Sequence, residues 1–255
     1  MPEGPEVLEY YNFIKEFFYD NTLCNIEIVS GKYIKKELPN FDIFKQSLPC
    51  KINDITIKGK TIFIKFDNKY GLVITHGMSG YWSDENEKHS RIKFELKNDN
   101  LYYVDPRNFG SIIVCLNDEE FYFRENKLGP YIFDKNMSYE LFYSRLDKKP
   151  KTKIAIALLD QNLLSGIGNY LRCDILWYSK INGEKRIEDL SDFEKMVLYK
   201  SAINICKYHA GMKHFLKITP NDYNRDFFIY MEDEDIYGKK VHTKKLNGRT
   251  FHYTC

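Results

Sequence analysis

The stretch from Leu158 to Leu176, LLDQNLLSGIGNYLRCDIL, governs how the rest of the chain is read. Apolar residues from Lys153 to Leu163 have the character of a helix, Ser165-Gly166-Ile167-Gly168 breaks it, and Asn169 to Tyr178 restarts it. Glycines lower helical propensity in the break, and the first backbone N–H groups of the new helix have no intrahelical partner. Those groups, with Asn169 in the first turn, suit a phosphate oxygen. A Gly-x-Gly is weak by itself. Its weight here comes from lying between two helices in the basic half of the chain.

Toward the C-terminus, Ser191 and Glu194 form an S-x-x-E capping box that opens a helix running to His209, with Gly211 as its stop. Met196, Tyr199, Ile203 and Cys206 are expected to form its buried face. Beyond Ile229, short alternating pieces around Gly238 and Asn247-Gly248 predict a small hairpin. Toward the N-terminus, Lys127 to Ser138 carries Gly-Pro and no period, as a linker would. From Asn25 to Leu116 the period is two, with strands expected at Asn25–Val29, Thr61–Phe66, Leu72–Thr75, Arg91–Lys97, Leu101–Val104 and Ser111–Cys115. Val7, Tyr11, Ile14 and Phe18 form the stripe of a first helix beginning near Pro5. The expected architecture is α+β. Residues 1–127 form a β-sandwich domain with an N-terminal helix, 128–138 the linker, 139–228 a helical domain and 229–255 a terminal hairpin.

The 255 residues are 43% hydrophobic and 16% aromatic, enough for a core, which excludes disorder as a global description. No apolar run reaches membrane-spanning length, and the acidic start MPEGPEVLEY is unlike a signal peptide. A soluble intracellular protein is expected, and a monomer, since nothing argues for an interface. The six cysteines show no C-x-x-C pair, so they read as reduced, buried side chains and no metal site is expected. A net charge of +2 conceals an asymmetry: 17 basic and 20 acidic residues up to Pro130, then 21 and 16 after it. Lys239 to Cys255 holds five basic residues and no acidic one, which suits a polyanion partner or, equally, a solvated terminal strand pair.

Four features carry chemistry. Removal of Met1 ahead of the small Pro2 leaves a secondary amine, a nucleophile able to form an iminium at an aldehyde-like carbon, with Glu3 beside it as proton donor or shuttle. The same PEGPE also suits a plain helix start with Pro5 at its first position and Glu3 and Glu6 favouring the dipole. Lys60 shares strand parity with Ile62, Ile64 and Phe66, and so tends inward unless Gly59 holds a bulge or the lysine snorkels to water. The turns His76-Gly77-Met78-Ser79-Gly80 and Asp105-Pro106-Arg107-Asn108-Phe109-Gly110 present Met78, Arg107 and Phe109, side chains of the kind that enter a duplex when a base is expelled, though singly each is an ordinary hairpin residue. Asn169 at the helix start is the fourth.

Together PEGPE, Gly59-Lys60, HGMSG, DPRNFG and Leu158 to Leu176 resemble, over nearly the whole chain, the Fpg/Nei family of DNA glycosylases (formamidopyrimidine-DNA glycosylase and endonuclease VIII). The resemblance implies that Leu158 to Leu176 is the family's helix-two-turn-helix. It makes Pro2 the nucleophile at C1′, Glu3 the acid that helps open the sugar, Glu6 a supporting carboxylate, and Lys60 a catalytic and phosphate-contacting lysine. Met78, Arg107 and Phe109 match the void-filling wedge, and Asn169 the phosphate ligand. The implied partner is damaged DNA. The implied reaction is excision of an oxidised base followed by β- and δ-elimination, with no cofactor or metal in the chemistry.

Two departures qualify the match. The family commonly ends in a four-cysteine zinc finger, and only Cys255 stands in this region, so zinc is not expected. Leu246-Asn247-Gly248-Arg249-Thr250-Phe251 still resembles the finger hairpin, as in the zincless-finger branch of Nei-like enzymes, with Arg249 as its phosphate clamp. That branch is associated with oxidised pyrimidines and hydantoin or ring-opened purines more than with 8-oxoguanine. Family members often carry a basic residue three positions before the methionine, where this chain has Thr75, with His76 one place late. Two alternatives stand beside excision: a module that binds damaged or abasic DNA with little activity, and an RNA-binding protein that uses the helix-two-turn-helix alone.

Overall fold

The computed structural model describes residues 2–212 and 226–254. Met1, Cys255 and residues 213–225, which include most of the unpatterned loop from Phe215 to Tyr230, lie outside the described residues. The chain divides into two compact units: Pro2 with Glu6–Lys127, and Glu3–Pro5 with the residues from Leu128 onward.

The first unit carries most of helix α1 (Gly4–Phe18), then β1 (Thr22–Ile28), short helices α2 (Lys32–Lys35) and α3 (Phe41–Gln46), β2 (Cys50–Lys58), β3 (Thr61–Phe66), β4 (Gly71–Thr75), β5 (Tyr81–Ser83), β6 (Ser90–Leu96), β7 (Asn100–Val104), β8 (Ser111–Cys115) and helix α4 (Asp118–Asn126). All strand pairs are antiparallel, in the order β5-β7-β6-β1-β2-β3-β4-β8. The two four-stranded halves are joined by the short pairing Thr22↔Lys51 and Leu23↔Cys50, extended by Ile52 N–H to Asn21 O at 3.0 Å. Ile26, Ile92 and Phe94 of one half meet Ile62, Ile64 and Ile74 of the other, with Val7, Ile14 and Phe18 of α1, in one core. This is sandwich packing, in which each sheet hides one face.

Departures from strict alternation have local causes. Phe63 of β3 is buried although its parity points outward, because Phe121 of α4 packs on it at 5.6 Å. Gly71 is required beneath that helix: a Cβ there would lie 2.3 Å from the Phe121 ring. The expected parity of Lys60 does not apply. Gly59, at φ +66°, and Lys60 form the two-residue turn between Lys58 and Thr61, so Lys60 is a half-buried turn residue outside the strand. Strands β2 and β5 and helices α2 to α4 had no expected counterpart.

The second unit contains α5 (Tyr139–Leu146), α6 (Ile154–Ala157), α7 (Asn169–Ser179), α8 (Asp192–His209), β9 (His242–Leu246) and β10 (Arg249–Tyr253). The expected helix over Lys153 to Leu163 lasts one turn. Asp160 Oδ1 accepts the Asn162 N–H at 3.0 Å, and Gln161 bonds the Ile167 carbonyl at 2.7 Å and the Gly166 N–H at 3.1 Å, folding the chain into a turn. Ser191 and Glu194 form the reciprocal capping box at the start of α8. The buried face of α8 differs from expectation: Leu198, Ala202, Ile205 and Cys206 are covered, while Met196 is 38% exposed. The helix carries two apolar stripes, and the one covered holds small residues, which allow close approach to a neighbouring helix. Residues 129–132 bond into this unit through Gly129 N–H to Gln161 O, Ser165 N–H to Pro130 O and Ile132 N–H to Ser165 O. The terminal hairpin turns at Asn247 (φ +49°) and Gly248 (φ +74°), the paired positive values of a tight hairpin turn.

Candidate functional site

The start of α7 is the best-defined polar centre of the second unit. A helix N-terminus combines orphan N–H donors with a partial positive charge, so it attracts an anion. Glu3 supplies it. One carboxylate oxygen accepts Gly168 N–H at 2.7 Å and Leu171 N–H at 3.2 Å, and the other accepts Tyr170 N–H at 3.0 Å. Glu3 is 1% exposed, and a Cβ at Gly168 would lie 2.1 Å from its carboxyl carbon. Gly4 N–H to Gly166 O (2.8 Å) and the Tyr131 hydroxyl to Gly4 O (3.0 Å) hold the segment around it. The reading of the free N–H groups at this helix start as a phosphate cradle is thereby corrected: those of Gly168, Tyr170 and Leu171 hold the chain's own carboxylate.

Asn169, the expected phosphate ligand, is held through its side chain. Its Oδ1 accepts from Arg172 Nη2, and its Nδ2 donates to Thr250 O at 2.9 Å. Arg172 also donates to Thr250 O (3.1 Å) and Ala155 O (3.3 Å), and lies 5.1 Å from the centre of the Phe251 ring. Burial pulls its pKa below the ordinary arginine value, opposed by the Cys173 thiol and Glu3. Arg249, beside Thr250, is exposed. Asp174, fully buried, accepts from Phe228 N–H (3.3 Å) and Ile229 N–H (3.2 Å) and contacts His209 Nε2 at 3.0 Å, anchoring the chain where its described path resumes. Sequence reasoning singles out neither Arg172 nor Asp174. The available signal is two charged residues inside a helix otherwise composed to be buried, one of them three residues beyond Asn169.

The hairpin stands where the family commonly has a zinc finger. Among the described residues no three His, Cys, Asp or Glu side chains converge, and β9 and β10 present Thr243, Lys245, Arg249 and Thr250 outward. The donor set does not fit a tetrahedral zinc. Phe251 fills the space beside Gly183 and Ala155, where a Cβ on Gly183 would lie 2.7 Å from its ring.

In the first unit Pro2, Glu6 and Lys60 are each half-buried, Glu6 in the first turn of α1. The two turns that carry Met78, Arg107 and Phe109 are brought together. The Arg107 guanidinium lies 4.0 Å from Met78 Sδ, Arg107 N–H donates to Ser79 Oγ at 3.3 Å, and a Cβ on Gly77 would lie 2.4 Å from the Phe109 backbone. Asp105, 1% exposed, clamps both turns by accepting Gly110 N–H (2.8 Å) and the Ser79 hydroxyl (3.3 Å). Arg91 ties the same loop by donating to Asp105 O at 2.8 Å and Pro106 O at 3.3 Å. On this frame Met78 is 44% and Phe109 62% exposed, apolar side chains held out by a polar scaffold. His76 has a different fate. It is buried, its Nε2 accepts the Trp82 indole N–H at 2.8 Å, and burial pushes its pKa down to about 3. It is a neutral core residue.

Residues 1–112 match the family model of the formamidopyrimidine-DNA glycosylase N-terminal domain, and residues 128–214 that of the formamidopyrimidine-DNA glycosylase H2TH domain. The formamidopyrimidine-DNA glycosylase of Oceanobacillus iheyensis is 33% identical over 276 aligned positions, covering 100% of this chain and 97% of that protein. The one from Streptococcus agalactiae serotype III is 32% identical over 216, covering 80% and 76%. Among solved structures, MutM in complex with DNA containing carbocyclic 8-oxo-G superposes with a TM-score of 0.81 at 25% identity, covering 99% of this chain and 98% of that one. Lactococcus lactis Fpg bound to DNA with an abasic site gives 0.80 at 23%, covering 99% and 97%, a likeness of fold.

Proposed function

The chain belongs to the formamidopyrimidine-DNA glycosylase family, enzymes of base excision repair, and from that premise we propose that it removes oxidised pyrimidines and hydantoin or ring-opened purines in preference to 8-oxoguanine, through an iminium at Pro2. The observation that carries this reading is the capture of Glu3 by three backbone N–H groups at α7, because it anchors the residue next to the nucleophile. With Met1 removed, the Pro2 nitrogen attacks C1′, the C1′–base bond breaks, and the base leaves with the proton that the amine releases. Glu3 delivers a proton to O4′ as the sugar opens to give the iminium. The cationic C1′=N group makes the C2′ proton acidic. Its removal expels the 3′ phosphate, a second elimination expels the 5′ phosphate, and water releases the amine.

Lys60 contacts phosphate and serves catalysis, and Glu6 is the supporting carboxylate of the N-terminal PEGPE motif. Met78, Arg107 and Phe109 fill the gap left by the extruded nucleotide, for which their exposure on braced turns suits them. Asn169 and Arg249 hold backbone phosphates beside it. Of the divisions 1–127, 128–138, 139–228 and 229–255, the first carries the chemistry and the wedge, the third Asn169 and the last Arg249, with 128–138 connecting them, and the protein works as a monomer inside the cell, where its substrate is. Among the described residues no helix is long and apolar enough to cross a membrane.

Two similar structures hold purine lesions, carbocyclic 8-oxo-G and N7-benzyl-Fapy-dG, so the deciding experiment compares lesion classes directly. Single-turnover excision is measured on duplexes carrying thymine glycol, a hydantoin or 8-oxoguanine. Rates on the first two are expected to exceed that on 8-oxoguanine by about tenfold or more. An 8-oxoguanine rate equal to or above them contradicts the preference.

A further inference from the structure

Arg172 is the largest fully buried side chain among the described residues, and every oxygen it bonds is neutral: the carbonyls of Ala155 and Thr250 and the amide oxygen of Asn169. A guanidinium only donates, and a backbone carbonyl only accepts. Placed between Arg172 and Thr250 O, the Asn169 amide therefore has one allowed orientation, oxygen toward the guanidinium and nitrogen toward the carbonyl. That nitrogen carries two hydrogens, of which Thr250 takes one. The same guanidinium grips β10 at Thr250, the residue after Arg249, and covers the Phe251 ring.

Resting on the functional reading above, we infer that Arg172 is a positioning residue: it docks the metal-free hairpin onto α7 and thereby orients Asn169 and Arg249 together toward the DNA backbone. A metal clamps a finger to itself. This contact clamps the hairpin to the helix that carries the other phosphate ligand. A core arginine with a purely structural role would instead affect folding alone.

The test is affinity for a duplex carrying the tetrahydrofuran abasic analogue, measured for the wild type, Arg172→Met, the double variant Asn169→Ala/Arg249→Ala, and all three substitutions combined. Arg172→Met is expected to weaken binding about tenfold alone, and by less than about twofold once Asn169 and Arg249 are absent, since nothing is then left to orient. The slope of log affinity against log salt is expected to fall by about one, as for Arg249→Ala. Equal losses in both backgrounds overturn the inference, as does wild-type affinity and slope in a folded Arg172→Met protein. If that variant does not unfold cooperatively, Arg172→Lys, which keeps the charge without the planar fork, carries the same cycle with the same expected collapse. Failure of the wild type itself to bind this duplex contradicts the functional reading, an outcome separate from an additive cycle in a protein that binds.

Discussion

Glu3 and His76 are both buried and titratable, and they are used in opposite ways. Glu3 is surrounded by donors, three of them backbone N–H groups that nothing else in the structure would satisfy. Glu3→Ala is expected to destabilise the protein by about 2–3 kcal/mol, because buried donors are left unpaired, and to abolish excision. Thermal denaturation checks the first effect and a lesion-nicking assay the second. His76 accepts the Trp82 indole N–H and has aromatic neighbours in Tyr10, Trp82 and Tyr103. Its imidazole resists protonation down to about pH 3 in the folded protein, whereas the unfolded chain takes that proton near pH 6.5. Stability from this residue is therefore complete above pH 6.5 and lost as pH falls toward 3. About 2 kcal/mol should disappear between pH 7.5 and pH 5. Urea unfolding of the wild type and His76→Gln at both pH values reads this directly, and the variant should lack that share of the acid loss. The displacement of His76 from the family's basic position was visible in the sequence. Its burial against Trp82 was not, since that contact depends on how the turn at Gly77 is folded.

At the scale of elements, the turns 76–80 and 105–110 act as one unit because Asp105 bonds the Ser79 hydroxyl and the Gly110 N–H together, while Arg91 holds the backbone of the second turn. Asp105→Ala frees the Gly110 N–H and the Ser79 hydroxyl together. It is expected to lower excision at subsaturating substrate by about tenfold, with a modest loss of stability, because the exposed Met78 and Phe109 lose their common support. Single-turnover excision and thermal denaturation measure the two effects, and an unchanged excision rate would assign the clamp to stability alone. Elements with a local signature were legible in advance: the Ser191 capping box, the Asn247-Gly248 turn, and strands Thr61–Phe66 and Ser111–Cys115. Those whose form depends on a distant partner were not. The helix expected over Lys153 to Leu163 gives way to side-chain bonds of Asp160 and Gln161, and the buried stripe of α8 is selected by its packing partner.

At the scale of the whole molecule, the nine residue roles expected from the resemblance distribute over both units: Pro2, Glu6, Lys60, Met78, Arg107 and Phe109 in the first, Glu3, Asn169 and Arg249 in the second. The residues proposed to touch reacting groups were readable as motifs, because chemistry demands particular residue types at particular points. Arg91, which braces the Arg107 loop, and Arg172, which bonds Asn169, answer to geometry and carry no such pattern. The same division explains the Gly166 to Gly168 loop. Its glycines mark close approaches, and only the structure reveals that the group against Gly168 is the protein's own Glu3, while Gly166 lies against Tyr131. The account as a whole turns on the N-terminal amine, and borohydride trapping tests it most directly. Purified protein with Met1 removed is reduced on duplex DNA carrying an abasic site, beside a Pro2→Gly control that retains DNA affinity. A covalent protein–DNA adduct is expected for the wild type and should be lost in the control. An adduct formed equally well by Pro2→Gly, or none from a correctly processed wild type that binds the duplex tightly, would contradict the assignment of Pro2 as the nucleophile.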